Sequence, residues 1–236
     1  MNGSLEERFI AVRERVADAA ARVGREAREV SLLAVSKTFP ADAVVEAARY
    51  EQVDFGENRV QEALAKMEVL TATPDVEPLR WHLIGPLQRN KVRKVIGKFK
   101  CIHSVDSLKI AEALNRVAEE ESLTQKILLQ VRLGGEDSKS GFDEDELVAS
   151  IEDLAACSSL HLSGLMTIPP PVSQPEEGRP YFSALRELRD KLSSRVNLPL
   201  KELSMGMSHD FEVAIEEGAT FVRVGSALFG TRPKPK

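Results

Sequence analysis

Cysteine, long apolar runs and surplus positive charge are all scarce in this chain. Two thiols in 236 residues, Cys101 and Cys157, exclude a disulfide framework and read as reduced. No apolar stretch approaches the ~20 residues of a membrane span, and the opening "MNGSLEERFIAVRERV" carries no apolar signal-peptide core. The formal net charge of -5 gives no general attraction to nucleic acid or to an anionic membrane, so any bound anion has to be held locally. What remains is a chain long enough, at 42% hydrophobic, to bury one sizeable α/β core. The expectation is a soluble, cytoplasmic protein with one domain spanning 1–236, its last residues 230–236 forming a frayed tail.

Ser4 and Glu7 stand at capping-box spacing, and Leu5, Phe9, Val12, Val16, Ala20 and Val23 follow on one helical stripe. They predict an amphipathic helix ahead of the first strand. After it come eight short apolar runs at 30–36, 53–55, 81–85, 101–105, 126–133, 161–168, 202–205 and 220–224, separated by stretches of helical period. The runs do not alternate apolar with polar, as expected of parallel strands covered on both faces. Eight strand–helix units in this length predict a (β/α)8 TIM barrel with an extra N-terminal helix. A doubly wound open sheet competes, but "KTFPADAVVEAARY" after the first run has no G-x-G-x-x-G nucleotide loop.

In such a barrel the C-terminal strand ends line the active-site mouth. Lys37 ends the first run, with Val35 and Leu33 on its side by the two-residue period. An amine against apolar walls loses its charge more readily, which suits a lysine that condenses with an aldehyde; the same residue also reads as a strand-end lysine reaching water. At the other end, "FVRVGSALFG" is a strand followed by Gly225, Ser226 and a short helical turn, and "MGMSHDFEVAIEEG" sets Gly206 and Ser208 before another helix. Two small-residue helix starts side by side suit a phosphate, although either serine also reads as a plain N-cap. An aldehyde-seeking lysine and a phosphate cup at one mouth point to pyridoxal 5'-phosphate (PLP).

The motifs "AVSKTFP", "FGENRVQE", "WHLIGPLQRNK", "SKSG", "GLMTI", "SMGMSHDFEVAI" and "VRVGSALFG" occur in an order that resembles the YggS/PROSC family of pyridoxal phosphate homeostasis proteins. The resemblance covers nearly the whole chain. It implies a fold-type III PLP protein built like the N-terminal barrel of alanine racemase, with Lys37 as the aldimine lysine. It further implies Ser208, Gly225 and Ser226 as phosphate contacts, Arg223 facing the pyridine nitrogen, and Asn58 near the ring. Arg223 also reads as a loop ion-pair residue, and Asn58 as an N-cap. A guanidinium only donates and cannot accept a hydrogen bond from a protonated ring nitrogen, so it favours the unprotonated ring, a weaker electron sink. Two departures bear on the charge of the mouth: His209 stands where the family carries aspartate, and Arg132 where a small polar residue is usual.

Other signals carry less. Cys101 and His103 share a strand face, but two ligands do not make a metal site, and none is expected. His82 and His161 read as satisfied strand-end side chains. "RLGGEDSKSG" with Lys139 lacks the order of a phosphate-binding nucleotide loop and reads as a mobile loop over the mouth. The basic cluster Arg89, Lys91, Arg93, Lys94, Lys98 and Lys100 reads as a solvated helix face, with a partner surface as the minor reading. By resemblance the function is PLP homeostasis: a non-catalytic monomer carrying PLP reversibly on Lys37, with the cofactor and apo PLP-enzymes as partners and neither nucleic acid nor membrane. The rival readings are a PLP-dependent amino-acid racemase, for which Tyr50 and Tyr181 offer no obvious second acid/base, and a sugar-phosphate lysine aldolase that binds no pyridoxal.

Overall fold

In the computed structural model, which describes residues 3–74, 77–134 and 140–230, Leu33 and Val35 face one side of the first strand and Ala34 the other. All three are buried, because the strand is covered on both faces. The eight strands are β1 (Ser31–Val35), β2 (Asp54–Glu57), β3 (Arg80–Leu83), β4 (Cys101–Val105), β5 (Gln125–Val131), β6 (Leu160–Thr167), β7 (Glu202–Met207) and β8 (Phe221–Val224). They pair in parallel and in chain order, and β8 returns to β1 to close the barrel. This is the expected (β/α)8 architecture. Most predicted runs match their strands to within two residues; β7 extends the run 202–205 to Met207.

Between the strands run α2 (Ala41–Ala48), α3 (Val60–Thr71), α4 (Val92–Val95), α5 (Leu108–Glu120), α6 (Glu144–Ala155), α7 (Arg179–Val196) and α8 (Phe211–Glu216), with α9 (Ser226–Phe229) after β8. The outward strand residues and the helix stripes form one large apolar cluster. A second, smaller cluster fills the barrel: Leu33, Val35, Ile84, Cys101, Leu128, Met166 and Phe221. The basic segment 89–100, read as a solvated helix face, holds a short turn at Arg89–Lys91 and the single-turn α4. Arg93 there pairs with Glu120 and Glu121. Lys139 and the residues 231–236 of the anticipated tail lie outside the described residues.

The N-terminal helix α1 (Leu5–Arg22) opens with the anticipated capping box between Ser4 and Glu7. Its stripe is buried from Leu5 to Ala20, but Val23 is the C-cap and is exposed. The helix lies against α8 and α9. Phe9, fully buried, meets the ring of Phe229 edge-on at 6.3 Å, and Phe229 stacks at 5.2 Å on Phe39, which lines the barrel mouth. Arg8 Nε donates to the Leu228 carbonyl at 2.5 Å. The added helix therefore braces the short turn after β8. Replacing Phe9 with Ala is expected to cost about 3–5 kcal/mol in urea-induced unfolding; a loss below about 1 kcal/mol would show that α1 merely rests on the barrel.

Candidate functional site

Two residues beyond β1, Lys37 keeps the inward parity of Leu33 and Val35 and reaches a cavity of about 330 Å³ at the C-terminal ends of the strands. That volume is at the small end of the roughly 300–1,000 Å³ usual for small-molecule sites. All six residues singled out from the sequence, Lys37, Asn58, Ser208, Arg223, Gly225 and Ser226, line this one cavity, with Val35, Ile84 and Ile168 as apolar wall. Asn58 is not an N-cap: Arg59 holds that position on α3, without a side-chain cap bond. The chain at Asn58 is instead pressed against Gly85, where a Cβ would lie 2.3 Å from the Asn58 carbonyl oxygen. Only glycine lets these two mouth segments meet.

The loop carrying Lys37 is held by a buried charge cluster that the sequence reading did not anticipate. Lys66 Nζ donates to the Ser36 carbonyl at 2.8 Å, to Glu57 Oε1 at 2.6 Å and to Glu62 Oε1 at 3.0 Å, using all three of its protons. Ser36 Oγ donates to the same Glu57 oxygen at 2.7 Å. Glu62 also accepts the Thr38 N–H at 2.6 Å, which fixes Thr38 in a left-handed turn with φ of 70°. Such a conformation costs a non-glycine residue of order 1–3 kcal/mol. The cluster thus sets where the chain turns on either side of Lys37.

Across the mouth, Ser208 Oγ accepts the N–H groups of Gly225 at 3.2 Å and Ala227 at 3.3 Å. Neither Ser208 nor Ser226 is the plain N-cap of its own helix, since Asp210 holds that position on α8 and Gly225 on α9; Ser208 instead caps the turn after β8 from a different loop. A phosphate oxygen placed there would meet the same amides and a serine hydroxyl able to donate. Gly206 belongs to β7 and not to the cup. Its φ of 87° and the 2.6 Å between a notional Cβ and the Ala214 Cβ show that it lets α8 pack close. β7 carries an extra residue against β8 between Ser204 and Met207, a bulge of the kind often found next to sites.

Arg223 is 4% exposed. Its Nη1 donates to Ser204 Oγ and its Nη2 to the Thr167 carbonyl, both at 2.8 Å. Burial pushes its pKa down to about 10, against the raising effect of Asp210, so the guanidinium stays protonated at neutral pH. It is no loop ion-pair residue: the hydroxyl and the carbonyl it donates to are neutral oxygens inside the barrel. His209 also lines the cavity. Arg132, with Gln130 and Ser140, lines an adjoining cavity of about 240 Å³ that shares Asn58, Ile84 and Ile168 with the first. Neither tyrosine lines the main cavity among the described residues.

His82 is not a strand-end residue but sits inside the barrel, hydrogen-bonded to His103 at 2.9 Å. With Cys101 the two imidazoles put possible ligand atoms within 4.8 Å of one another. The imidazoles already bond each other, and burial pushes the Cys101 thiol far up, which opposes the thiolate a metal would need.

Burial, opposed by Lys66 and Ser36, raises the Glu57 carboxyl above its usual range. A group raised in the folded state adds stability at pH below its ordinary value and loses it as pH climbs through the folded value. Lys66→Ala is expected to cost about 3–5 kcal/mol by stranding Glu57, and the variant should weaken further as pH rises through that window. Urea unfolding at several pH values tests this; a small, pH-independent loss would mean the cluster does not hold the loop.

The profile of the alanine racemase N-terminal domain matches residues 10–233. The pyridoxal phosphate homeostasis protein of Aquifex aeolicus is 46% identical over 226 residues, covering 96% of this chain and 97% of its own. That of Escherichia coli K12 is 41% identical over 232 residues, covering 95% of each. Among solved structures, PipY of Synechococcus elongatus PCC7942 with PLP bound superposes with a TM-score of 0.84 at 41% identity, over 96% of this chain and all of that one. Alanine racemase of Clostridium difficile, at 19% identity and a TM-score of 0.65, shares the fold over 57% of its length. On these matches, spread along almost the entire sequence, the chain belongs to the family of pyridoxal phosphate homeostasis proteins.

Proposed function

We propose that this protein binds pyridoxal 5'-phosphate at the barrel mouth and carries it reversibly as part of PLP homeostasis, without turning over a substrate. The observation that carries the reading is the convergence of Lys37, Ser208, Gly225, Ser226 and Arg223 on one cavity, where Ser208 Oγ also meets the amides of Gly225 and Ala227. Their chemistry fits the group: an amine for an aldehyde, a hydroxyl and two amides for a phosphate, and a donor-only guanidinium for a ring nitrogen. PipY, solved with PLP bound, is a relative with the same fold and supports the assignment. When bound, the cofactor supplies an aldehyde that condenses with primary amines and a ring that withdraws electrons from the carbon so attached.

The chain's own residues decide how much of that reactivity is used. Lys37 holds the cofactor covalently through Nζ and surrenders it when another amine takes its place. Ser208 and the amides after β8 hold the phosphate. Arg223, protonated at neutral pH, donates toward the ring nitrogen and gives it no proton. Carbanion chemistry is thereby discouraged, which suits a carrier better than an enzyme. A racemase needs a second acid/base on the far face of the ring, and neither Tyr50 nor Tyr181 lines the cavity. We read the protein as a cytoplasmic, single-domain monomer that hands PLP to apo-enzymes. No described helix is long and apolar enough to cross a membrane.

Borohydride reduction of the PLP-treated protein, followed by peptide mapping, is expected to place the pyridoxyl adduct on Lys37 and to lose it in Lys37→Ala. An adduct mainly on another lysine contradicts the site. Ser208→Ala should weaken PLP binding roughly ten- to hundredfold, the value of one hydrogen bond to a charged group. Purified protein is expected to racemise no amino acid; substantial racemisation of alanine or another amino acid overturns the carrier reading.

A further inference from the structure

A line of polar side chains crosses the barrel interior from mouth to base, where branched apolar residues usually fill a barrel. Arg223 Nη1 donates to Ser204 Oγ at 2.8 Å. Ser204 Oγ lies 2.9 Å from His103 Nδ1, His103 Nε2 lies 2.9 Å from His82 Nδ1, and His82 Nε2 lies 3.0 Å from Asp54 Oδ1. Asp54 opens β2 at the opposite end of the barrel, where Arg80 grips both its oxygens at 2.8 and 2.5 Å. Serine and both histidines are buried.

Donor and acceptor arithmetic gives this chain a direction. Asp54 as a carboxylate can only accept, so a neutral His82 carries its proton on Nε2 and accepts at Nδ1 from His103 Nε2. A neutral His103 then has a bare Nδ1 that takes the Ser204 proton, while Ser204 Oγ accepts from Arg223, which can only donate. Burial is the main influence holding His103 neutral, with the charges of His82, if protonated, and Arg223 acting the same way. An imidazolium at His82 would reverse the bond between the histidines and set a third cation between Arg223 and Arg80, with Asp54 the one carboxylate in the line.

We propose that Ser204, His103 and His82 are positioning residues: a one-directional hydrogen-bond wire that orients Arg223 at the mouth and ties the charge around a bound ring nitrogen to Asp54 at the far end of the barrel. The ring is that of the PLP reading above, on which this inference rests for its ligand but not for its geometry. Arg223 is held by groups that never touch the cofactor, so a change at the base reaches the mouth without altering any contact to phosphate or Lys37.

The test begins on ligand-free, 15N-labelled protein, whose four histidines can be resolved by long-range 1H–15N correlation at pH 7. Both His82 and His103 should be neutral with a protonated Nε2 and a bare Nδ1. An imidazolium at either position, or a proton on His103 Nδ1, overturns the wire. Asp54→Asn can donate as well as accept, so it should let at least one of the two histidines move its proton to Nδ1. In the same variant, added PLP should still attach to Lys37 while the visible absorption maximum of the loaded protein shifts from that of wild type. Unchanged tautomers together with an unchanged spectrum would show that Asp54 sets nothing at the mouth, and would overturn the proposal. Wild-type protein that takes up no PLP would defeat the cofactor reading, leaving the wire to be judged by its tautomers.

Discussion

A guanidinium buried inside a β-barrel is the constraint from which most of this site follows. Arg223 is nearly inaccessible, and a charge so placed is tolerated only if polar groups satisfy it. Ser204 and the Thr167 carbonyl take two of its donors, and Ser204 draws His103 and His82 into the interior behind it. Arg223 also lines the cavity. Arg223 is therefore fixed before any ligand arrives, and a pre-set donor costs no reorganisation when it meets an acceptor.

The opposite wall follows the same logic with different partners. An aldehyde-carrying lysine, the role proposed for Lys37, needs a fixed position but also room to exchange one amine for another, and here the rigidity is placed around it. Lys66 and Glu62 grip the backbone at Ser36 and Thr38, one residue to either side, and Glu57 holds Lys66 and the Ser36 hydroxyl. This is a buried ion pair whose value lies in position, since such pairs often add little net stability. The aromatic stack from Phe9 through Phe229 to Phe39 gives the turn after β8 its own brace, outside the barrel proper.

Much of this was legible in the sequence because a closed parallel barrel writes a simple code. Two-sided burial makes continuous apolar strands, and inward parity carries from Leu33 and Val35 to Lys37 without a break. Gly225 and Ser226 follow a strand directly, as a phosphate loop would. The supporting groups were harder to see. Glu57 and Lys66 sit nine residues apart on a strand and a helix that meet only in three dimensions; helical period sets Lys66 on the buried stripe with Val60, Ala63 and Leu70, but nothing local names the carboxylates that would satisfy its charge there. His82 and His103 share the inward parity of Ile84 and Cys101. That parity was the available signal, but pairing them across strands requires the β3–β4 register. The cap on the turn after β8 was misread for a similar reason: Ser208 lies 17 residues from Gly225, beyond the reach of any local capping rule.

The account stands on one claim, that the three donor sets around the cavity hold the three ends of one molecule. A crystal structure of the protein grown with pyridoxal 5'-phosphate tests it most directly. The account predicts density continuous with Lys37 Nζ, a phosphate against Ser208 and the amides of Gly225 and Ala227, and the ring nitrogen facing Arg223. A phosphate bound elsewhere, or a ring turned so that Arg223 meets no nitrogen, would contradict it.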